Sequence, residues 1–222
     1  MTTVGFIGSG SIGGTVARLA VAAGHSVVMS NSRGPQTLQD LVAELGPQAH
    51  AATGEEAAAA GEIVVVSIPL KAYTTVPTAP LAGKPVIDTN NYYPPRDGNI
   101  AELDGKSATS SELLQRHLAR SSVVKAFNNI FFKHLLNLPR PAGASDRTFL
   151  PISGDDADAK AAVTAFLASI GYGAVDAGPL AESWRQEPGT PVYGAVYGPL
   201  DNEKGRPASA DAVRAALAAA TR

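Results

Sequence analysis

The chain has 222 residues and a formal net charge of -2, so it lacks the basic surface typical of nucleic-acid-binding proteins. It contains no cysteine, which excludes disulfides, thiol catalysis and cysteine-ligated metals, and its four histidines show no metal-binding spacing. No apolar run approaches the roughly 18 residues of a membrane span. The first predicted strand begins close to residue 1 and leaves no room for a signal peptide, so we expect a cytoplasmic protein.

A glycine-rich segment follows the first predicted strand. Residues 4–7 predict a short buried strand, residues 8–13 have the sequence GSGSIG, and an apolar helix pattern follows directly. In this setting Gly8 permits a tight turn, Gly10 lets the backbone approach a pyrophosphate, and Gly13 allows close packing of helix and strand. A glycine-rich turn without a ligand is the alternative, but it leaves three glycines within six residues unexplained. We therefore predict a dinucleotide site.

The end of the second predicted strand, residues 26–30, indicates which dinucleotide binds. NAD sites place a carboxylate there to bind the ribose 2′-hydroxyl, whereas this chain has Asn31, Ser32 and Arg33. An arginine can pair with a 2′-phosphate that a carboxylate would repel. The segment thus favours NADP(H), the alternative being that Arg33 is a solvated loop residue.

The next elements predict further strand and helix alternation. Residues 36–45 form a helix pattern, and residues 48–52 are a weak strand candidate. Thr53 and Glu56 have capping-box spacing at the start of an alanine-rich helix. A β-branched run over residues 62–69 predicts a buried parallel strand, with residues 67–70 at its carboxyl end. Because ligands lie beyond the carboxyl ends of such strands, these residues either line the cofactor path or simply end the strand.

Two polar segments follow later predicted strands. After a helix pattern over residues 71–81 and a strand over 84–88, residues 89–95 have the sequence TNNYYPP, which either faces a substrate or packs as a loop. A second capping box predicts a helix over residues 112–119. Beyond a strand over residues 122–127, Asn128 and Asn129 offer uncharged donors and acceptors for a nicotinamide amide or a flavin-like ring edge. The alternative is an asparagine-rich turn.

The alternation predicts an α/β fold, a Rossmann-type doubly wound parallel sheet with a short C-terminal α/β extension. We place the dinucleotide-binding domain at residues 1–145 and the extension, packing on the same sheet, at residues 146–222. The extension contains strands over 148–153 and 173–176, a helix over 156–170 and a last helix near 209–219. A Gly/Pro/Tyr-rich stretch over residues 187–200 has no obvious core partner, so we expect a homodimer.

Four segments occur together in an order that resembles one known family. The opening strand with GSGSIGG, the segment SNSRGP, the segment VVKAFNN and the segment DAGPL look like those of the F420-dependent NADP oxidoreductases. The resemblance covers roughly residues 4–180. It implies a Rossmann domain that transfers hydride between the nicotinamide C4 and C5 of the deazaflavin coenzyme F420. The segments after residues 88 and 127 depart from the family pattern, where the acceptor is expected.

The resemblance, together with the polar segments that follow the predicted strands, gives the predicted site residues. The predicted cofactor-binding set is Gly8, Ser9, Gly10, Ser11, Ile12, Asn31, Ser32, Arg33, Ser67, Ile68, Pro69, Asn90 and Asn128. The predicted substrate-binding set is Asn128, Asn129, Ile130 and Phe131.

The acceptor stays open at the sequence level. A deazaflavin or flavin needs no protein nucleophile, because the cofactors supply the chemistry and the protein sets distance and orientation. A small carbonyl or imine would need a proton donor, for which Tyr92, Tyr93 and His134 are the nearby candidates. The third alternative is a sensor that binds NADP(H) without turnover. No metal is expected in any of these cases.

Overall fold

One eight-stranded sheet organises the molecule, and the computed structural model describes residues 1–222. The strands are β1 (Thr3–Ile7), β2 (Ser26–Ser30), β3 (Ala49–Ala51), β4 (Ile63–Val66), β5 (Pro85–Asp88), β6 (Ser122–Lys125), β7 (Phe149–Gly154) and β8 (Gly173–Asp176). Their order is β3-β2-β1-β4-β5-β6-β7-β8. The first six follow the order of a Rossmann sheet, in which ligands bind where the strand order reverses, here between β1 and β4. The predicted α/β class is confirmed.

Helices cover both faces of this sheet. The α-helices are α1 (Ser11–Ala22), α2 (Gln39–Leu45), α3 (Gly54–Ala60), α4 (Pro94–Asp97), α5 (Ala101–Asp104), α6 (Ser110–His117), α7 (Phe132–Asn137), α8 (Ala157–Ser169) and α9 (Ala210–Ala218). Short 3₁₀ segments lie at Pro35–Leu38, Leu70–Thr75, Ala79–Leu81, Leu180–Gln186 and Ala195–Tyr197. None of the helices combines the length and the apolar character needed to cross a membrane.

The core lies on both sides of the sheet because successive strand residues point to opposite faces. In β4, Val65 belongs to the larger apolar cluster, and its neighbours Val64 and Val66 belong to the smaller one. The same division separates Ile87 from Val86 in β5. Strands buried on both faces are continuous in apolar residues, which is why the sequence shows β4 as an unbroken β-branched run.

Two predicted helix starts are confirmed, and one predicted helix is wrong. Thr53 and Thr109 each accept a hydrogen bond from the N3 backbone N–H, and the glutamate three residues later closes both capping boxes. Residues 71–81, expected to contain a helix, instead form two 3₁₀ segments. Pro77 and Pro80 remove backbone donors from this stretch, so an α-helical ladder cannot pass through it.

One strand runs against the predicted direction. β7 is antiparallel to β6, with Lys125 opposite Ser153, whereas a wholly parallel sheet was expected. A parallel partner needs a crossover that carries the chain back to the amino edge of the sheet, usually an α-helix. Between β6 and β7 the chain forms only the six-residue α7 before a proline-containing loop. The connection therefore stays near the carboxyl edge of the sheet, and the chain returns in the opposite direction.

The segment after β8 comes back to the carboxyl edge of β5 and β6. Gln186, at the end of the 3₁₀ segment Leu180–Gln186, is fully buried. Its Nε2 donates to Asn128 Oδ1 at 3.1 Å, and its Oε1 accepts from Ser153 Oγ at 3.2 Å. This anchoring holds the residues that follow Gln186 against the loops after β5 and β6.

Candidate cofactor and substrate site

The turn between β1 and α1 brings the backbone close to β4. Gly8 has φ of 107°, and a Cβ built on it would lie 2.0 Å from the carbonyl oxygen of Ser67. Only glycine fits there, for reasons of both conformation and space. The glycine therefore fixes the contact between the turn and the end of β4.

The next glycine has free space in front of it. Gly10 is the N-cap of α1, and a Cβ built on it would meet no atom within 4 Å. No side chain caps this helix, and its first turn carries no acidic residue. The free N–H groups and the positive end of the 12-residue helix can thus bind an anion. This opening fits the pyrophosphate of a dinucleotide.

The turn after β2 presents an arginine to solvent. Asn31 Oδ1 accepts a hydrogen bond from Arg33 N–H at 2.9 Å, and Asn31 Nδ2 donates to Thr37 Oγ1 at 3.0 Å. These bonds shape the turn, and Arg33 lies exposed on it without an ion-pair partner. No carboxylate lies in this turn to repel a 2′-phosphate.

A cavity of about 620 Å³ connects the Gly8 turn, the start of α1 and the turn that carries Arg33. Its walls come from the ends of β1, β2 and β4 and from the 3₁₀ segment after β4. The lining residues are Ile7, Gly8, Ser9, Gly10, Ser30, Asn31, Ser32, Arg33, Gly54, Ser67, Ile68, Pro69, Ala72, Thr75 and Pro77. We call it the nucleotide cavity. The structure thus brings most of the predicted cofactor-binding residues to one opening.

A second cavity of about 310 Å³ adjoins the first. The two share four lining residues, Gly10, Ser67, Ile68 and Pro69. The others in the second cavity are Ser11, Ile12, Thr89, Asn90, Asn91, Tyr93, Arg96, Asn128, Ile130 and Tyr193. We call it the acceptor cavity. It contains the remaining predicted cofactor residues and extends beyond them to β5, β6 and the C-terminal segment.

Asn90 lines the acceptor cavity and has one unpaired buried donor. Its Oδ1 accepts from Ile68 N–H at 3.0 Å, and its side-chain Nδ2 is buried without a protein partner. The residue is only 2% exposed, so the amide cannot turn freely into bulk water. An unpaired buried N–H is costly, so a ligand atom or a water that reached Nδ2 would stabilise the site.

A buried charged network holds the Asn90 backbone from both sides. Asp88 Oδ1 accepts from Asn90 N–H at 2.9 Å, and Lys125 Nζ donates to Asn90 O at 3.0 Å. Lys125 also donates to the hydroxyls of Ser110 and Ser111, and it lies 3.7 Å from Asp88 Oδ2. Both charged side chains are fully buried. The network fixes where Asn90 lies without reaching the cavity itself.

The two asparagines after β6 are committed to the protein. Asn128 Nδ2 donates to Gln186 O at 2.7 Å and to Asn91 Oδ1 at 3.0 Å. Asn129 Nδ2 donates to Val192 O at 3.0 Å, and the residue does not line the acceptor cavity. Asn128 therefore contributes a wall but no free amide donor, and both residues tie the β6 loop to the C-terminal segment.

Two tyrosines from distant parts of the chain meet in the acceptor cavity. The hydroxyls of Tyr93 and Tyr193 are hydrogen-bonded to each other, and Asn91 Nδ2 lies 3.5 Å from Tyr193 Oη. The guanidinium of Arg96 stacks on the Tyr93 ring at 4.9 Å. Burial and the bond to Tyr93 raise the pKa of the Tyr193 phenol, so it stays protonated near neutral pH.

Arg96 is itself oriented by a carboxylate. Its Nη2 donates to Asp97 Oδ2 at 2.8 Å and to Asn91 O at 2.7 Å. Burial would raise the pKa of Asp97, but hydrogen bonds from Arg96, Tyr93 N–H and Lys71 N–H outweigh it and lower that pKa. The ionised carboxylate thus keeps the guanidinium against the Tyr93 ring.

Three predicted candidates lie outside the acceptor cavity. The Tyr92 hydroxyl donates to Asp104 Oδ1 at 2.7 Å, so it fastens the loop before α5. His134 is fully buried, with Nε2 2.8 Å from Asn202 O, so it is neither a surface residue nor a proton donor to this site. Phe131 packs on Phe132, with ring centroids 4.8 Å apart. These positions do not support the roles expected of Tyr92, His134 and Phe131.

Sequence reasoning missed Tyr193 and Arg96 as parts of the site. Tyr193 is 100 residues away from its hydroxyl partner, in a stretch without periodicity or motif. The only local signal is the tyrosine content of residues 187–200. Arg96 follows two prolines directly after the TNNYY segment. This position predicts that Arg96 lies near the cavity, but it does not predict a role for the side chain.

Comparison with known proteins gives a family match. The model of the family described as NADP oxidoreductase, coenzyme F420-dependent, matches residues 3–92. That range contains the GSGSIG turn, the Arg33 turn, the end of β4 and Asn90. No curated protein matches the chain.

Solved structures agree with this match. A hypothetical protein from Sinorhizobium meliloti is 29% identical, with a TM-score of 0.75, over 86% of this chain and 93% of its own. A candidate F420-dependent NADP reductase from Arthrobacter sp. FB24 is 26% identical, with a TM-score of 0.69, over 83% of this chain and 88% of its own.

A reductive aminase from Aspergillus terreus, in complex with NADPH, is 20% identical, with a TM-score of 0.58. The alignment covers 82% of this chain and 56% of the aminase, and the likeness is one of fold. Residues 3–92 match the model of the family described as NADP oxidoreductase, coenzyme F420-dependent, which is the family that the sequence resembles.

Proposed function

We propose that this protein is an NADP(H)-dependent oxidoreductase that transfers hydride between the nicotinamide and a flat ring acceptor, either the deazaflavin F420 or a flavin. The observation that carries the proposal is the direct continuity of the two cavities. The nucleotide cavity has the open helix terminus and the free arginine of an NADP(H) site. The acceptor cavity continues from it past Ser67, Ile68 and Pro69, where a nicotinamide ring and a second ring would lie together.

The residues have separate roles in this proposal. The α1 N–H groups bind the pyrophosphate, and Arg33 pairs with the 2′-phosphate. Asn90 Nδ2 donates to the carboxamide oxygen of the nicotinamide. NADPH supplies the hydride, and the protein sets the distance between donor and acceptor carbons and excludes water. No nucleophile from the chain is required.

A second candidate is a reductase of a small carbonyl or imine. The observation that favours it is the tyrosine hydroxyl pair in the acceptor cavity, which could donate a hydrogen bond to a carbonyl oxygen. The continuity of the two cavities keeps a flat ring acceptor as the leading proposal.

The deciding experiment is NADPH oxidation by the purified protein with F420, FMN and FAD offered in parallel. A panel of small ketones and cyclic imines serves as a fourth arm, and NADH replaces NADPH in a matched series. Oxidation with F420 or a flavin, and not with the ketone or imine panel, supports the proposal. Turnover with the panel alone supports the second candidate. Tight NADPH binding without turnover in any arm would contradict both and leave a sensor.

A further inference from the structure

The two tyrosines of the acceptor cavity carry an inference beyond the cofactor site. We propose that the Tyr93–Tyr193 pair is the acceptor-specificity element of this protein, donating one phenolic hydrogen bond to a carbonyl oxygen at the edge of the second substrate. The inference rests on the proposed function, since it assigns the atoms that recognise the hydride acceptor. It adds Tyr193 to the site and names the chemical group it selects.

The hydrogen-bond inventory of the pair leaves one proton free. Each phenol carries one O–H donor, and one of the two protons lies between the oxygens of Tyr93 and Tyr193. The other neighbour, Asn91 Nδ2, is a donor and cannot accept the remaining proton. No protein acceptor is bonded to either hydroxyl. Whichever phenol donates within the pair, the second proton is available to a ligand.

The surroundings keep this donor in place and neutral. Arg96 stacks on the Tyr93 ring, and Asn91 links Tyr193 to the β6 loop through its 2.7 Å bond to Asn128 O. Burial and the partner hydroxyl raise the pKa of the Tyr193 phenol, so Tyr193 stays protonated near pH 7. A fixed neutral donor suits an oxygen that gains negative charge.

The free phenolic donor defines the chemistry of the second substrate. Its O–H points to a ligand with acceptor atoms at its edge. Flavin and deazaflavin rings carry carbonyl oxygens along one edge of the ring system. When such a ring accepts a hydride, electron density moves towards those oxygens, and a donor bonded there stabilises the transition state more than the ground state.

The test uses phenylalanine substitutions in the full-length protein. Tyr93→Phe or Tyr193→Phe alone leaves one phenol, whose proton becomes free once its partner is gone. We therefore expect each single variant to lose less than about tenfold in kcat/KM for the acceptor. The double variant Tyr93→Phe/Tyr193→Phe removes both donors, and we expect a loss of roughly 10- to 100-fold. The combined loss exceeds the product of the single losses.

Three further readouts separate a recognition role from a structural one. Tyr92→Phe is the matched control, because its hydroxyl bonds to Asp104 outside the cavity. The Kd for NADPH and the Tm of the double variant should stay at wild-type values. The pH profile between pH 6 and 9 should keep its shape, because the raised pKa keeps the Tyr193 phenol protonated there.

Two results would overturn the inference. One is a double variant with wild-type kcat/KM for every acceptor that the wild type reduces. The other is an equal fold-loss in NADPH affinity, which would place the pair in the cofactor site. A wild-type protein that reduces neither F420, FMN nor FAD contradicts the proposed function itself, and this role with it.

Discussion

The two ends of the cleft are built in different ways. The nucleotide cavity takes its walls from residues 7–77, and its key features are backbone groups: a glycine turn, a helix terminus and a bend after β2. Beyond residues 10–12 and 67–69, the acceptor cavity takes its walls from three further parts of the chain that are far apart in sequence. Asn90 and Tyr93 follow β5, Asn128 follows β6, and Tyr193 comes from the C-terminal segment.

The geometry of the nucleotide cavity is determined by a short stretch of sequence, and that of the acceptor cavity by contacts between distant residues. The glycine turn needs only the strand and helix on either side of it, so its geometry follows from a short stretch of sequence. The acceptor end depends on side-chain hydrogen bonds over long sequence separations, such as Asn128 to Gln186 and Lys125 to Asn90. Substitutions in the buried hydrogen-bond network behind the acceptor end should therefore disturb the fold more than substitutions on the exposed side of the nucleotide end.

The largest effect is expected at Lys125. Lys125→Met removes the only cation facing Asp88 in a fully buried setting, leaving a carboxylate without its charge partner. Breaking a buried pair by removing one member costs about 3–5 kcal/mol. We expect the free energy of unfolding, measured by urea titration, to fall by about that amount. The double variant Lys125→Met/Asp88→Asn should recover part of the loss, and a single variant as stable as wild type would contradict this.

The same division explains what the sequence could predict. The GSGSIG turn, the two capping boxes and the β-branched run of β4 are local signals, and each occurs where it was predicted. The direction of β7 could not be predicted, because it depends on where α7 and its loop return the chain.

Within the site, Arg33 and Gly10 were identified from their motifs, and both line the nucleotide cavity. Asn128 and Asn129 follow β6 as expected, but their amides bond to Gln186 and Val192, which no local pattern indicates. Tyr193 has no sequence signal because its partner is 100 residues away. The roles of these three side chains depend on partners that are distant in sequence, so a local pattern could not predict them.

The second prediction compares two glycines at the nucleotide end. Gly8→Ala forces an alanine into positive φ and places its Cβ against Ser67 O. The backbone strain alone costs about 1–3 kcal/mol, so we expect the free energy of unfolding to fall by at least that amount. Gly10→Ala puts its Cβ into open space and should fold with a wild-type Tm. It should nevertheless weaken NADPH binding, because the methyl group occupies the space reserved for the pyrophosphate.

Thermal unfolding and NADPH titration of both variants check this pair. The informative result is the separation of the two properties at Gly10, with folding retained and affinity reduced. Unchanged NADPH affinity in a folded Gly10→Ala protein would remove the pyrophosphate from this turn.

The third prediction tests the NADP(H) preference. Arg33 is exposed and unpaired, so Arg33→Ala should leave the fold intact while removing a charge-assisted contact to the 2′-phosphate. We expect the Kd for NADPH to rise about 10- to 100-fold at low ionic strength, and the Kd for NADH to change little. Arg33→Lys should keep part of the preference, because it retains a charge without the bidentate fork. An equal loss for both nucleotides would refute the assignment.

The smallest expected effect lies at Asn90, and it asks whether this residue binds a ligand or only supports the fold. Asn90 has two functions to separate: Oδ1 accepts from Ile68 N–H, and Nδ2 is free. Asn90→Ala removes both, whereas Asn90→Asp retains the acceptor oxygen and replaces the donor nitrogen with a second oxygen, which also introduces a carboxylate. One neutral hydrogen bond contributes about 1 kcal/mol, so we expect roughly a fivefold rise in the Kd for NADPH in both variants.

The NADPH affinities of Asn90→Asp and Asn90→Ala, compared with each other, show whether Nδ2 binds the cofactor. If Nδ2 binds the nicotinamide carboxamide, Asn90→Asp loses as much affinity as Asn90→Ala, even though its bond to Ile68 is retained. If Asn90 acts only by holding the end of β4, the aspartate restores wild-type affinity and the alanine alone is impaired. The first outcome extends ligand recognition across the boundary between the two cavities, and the second confines it to the nucleotide end.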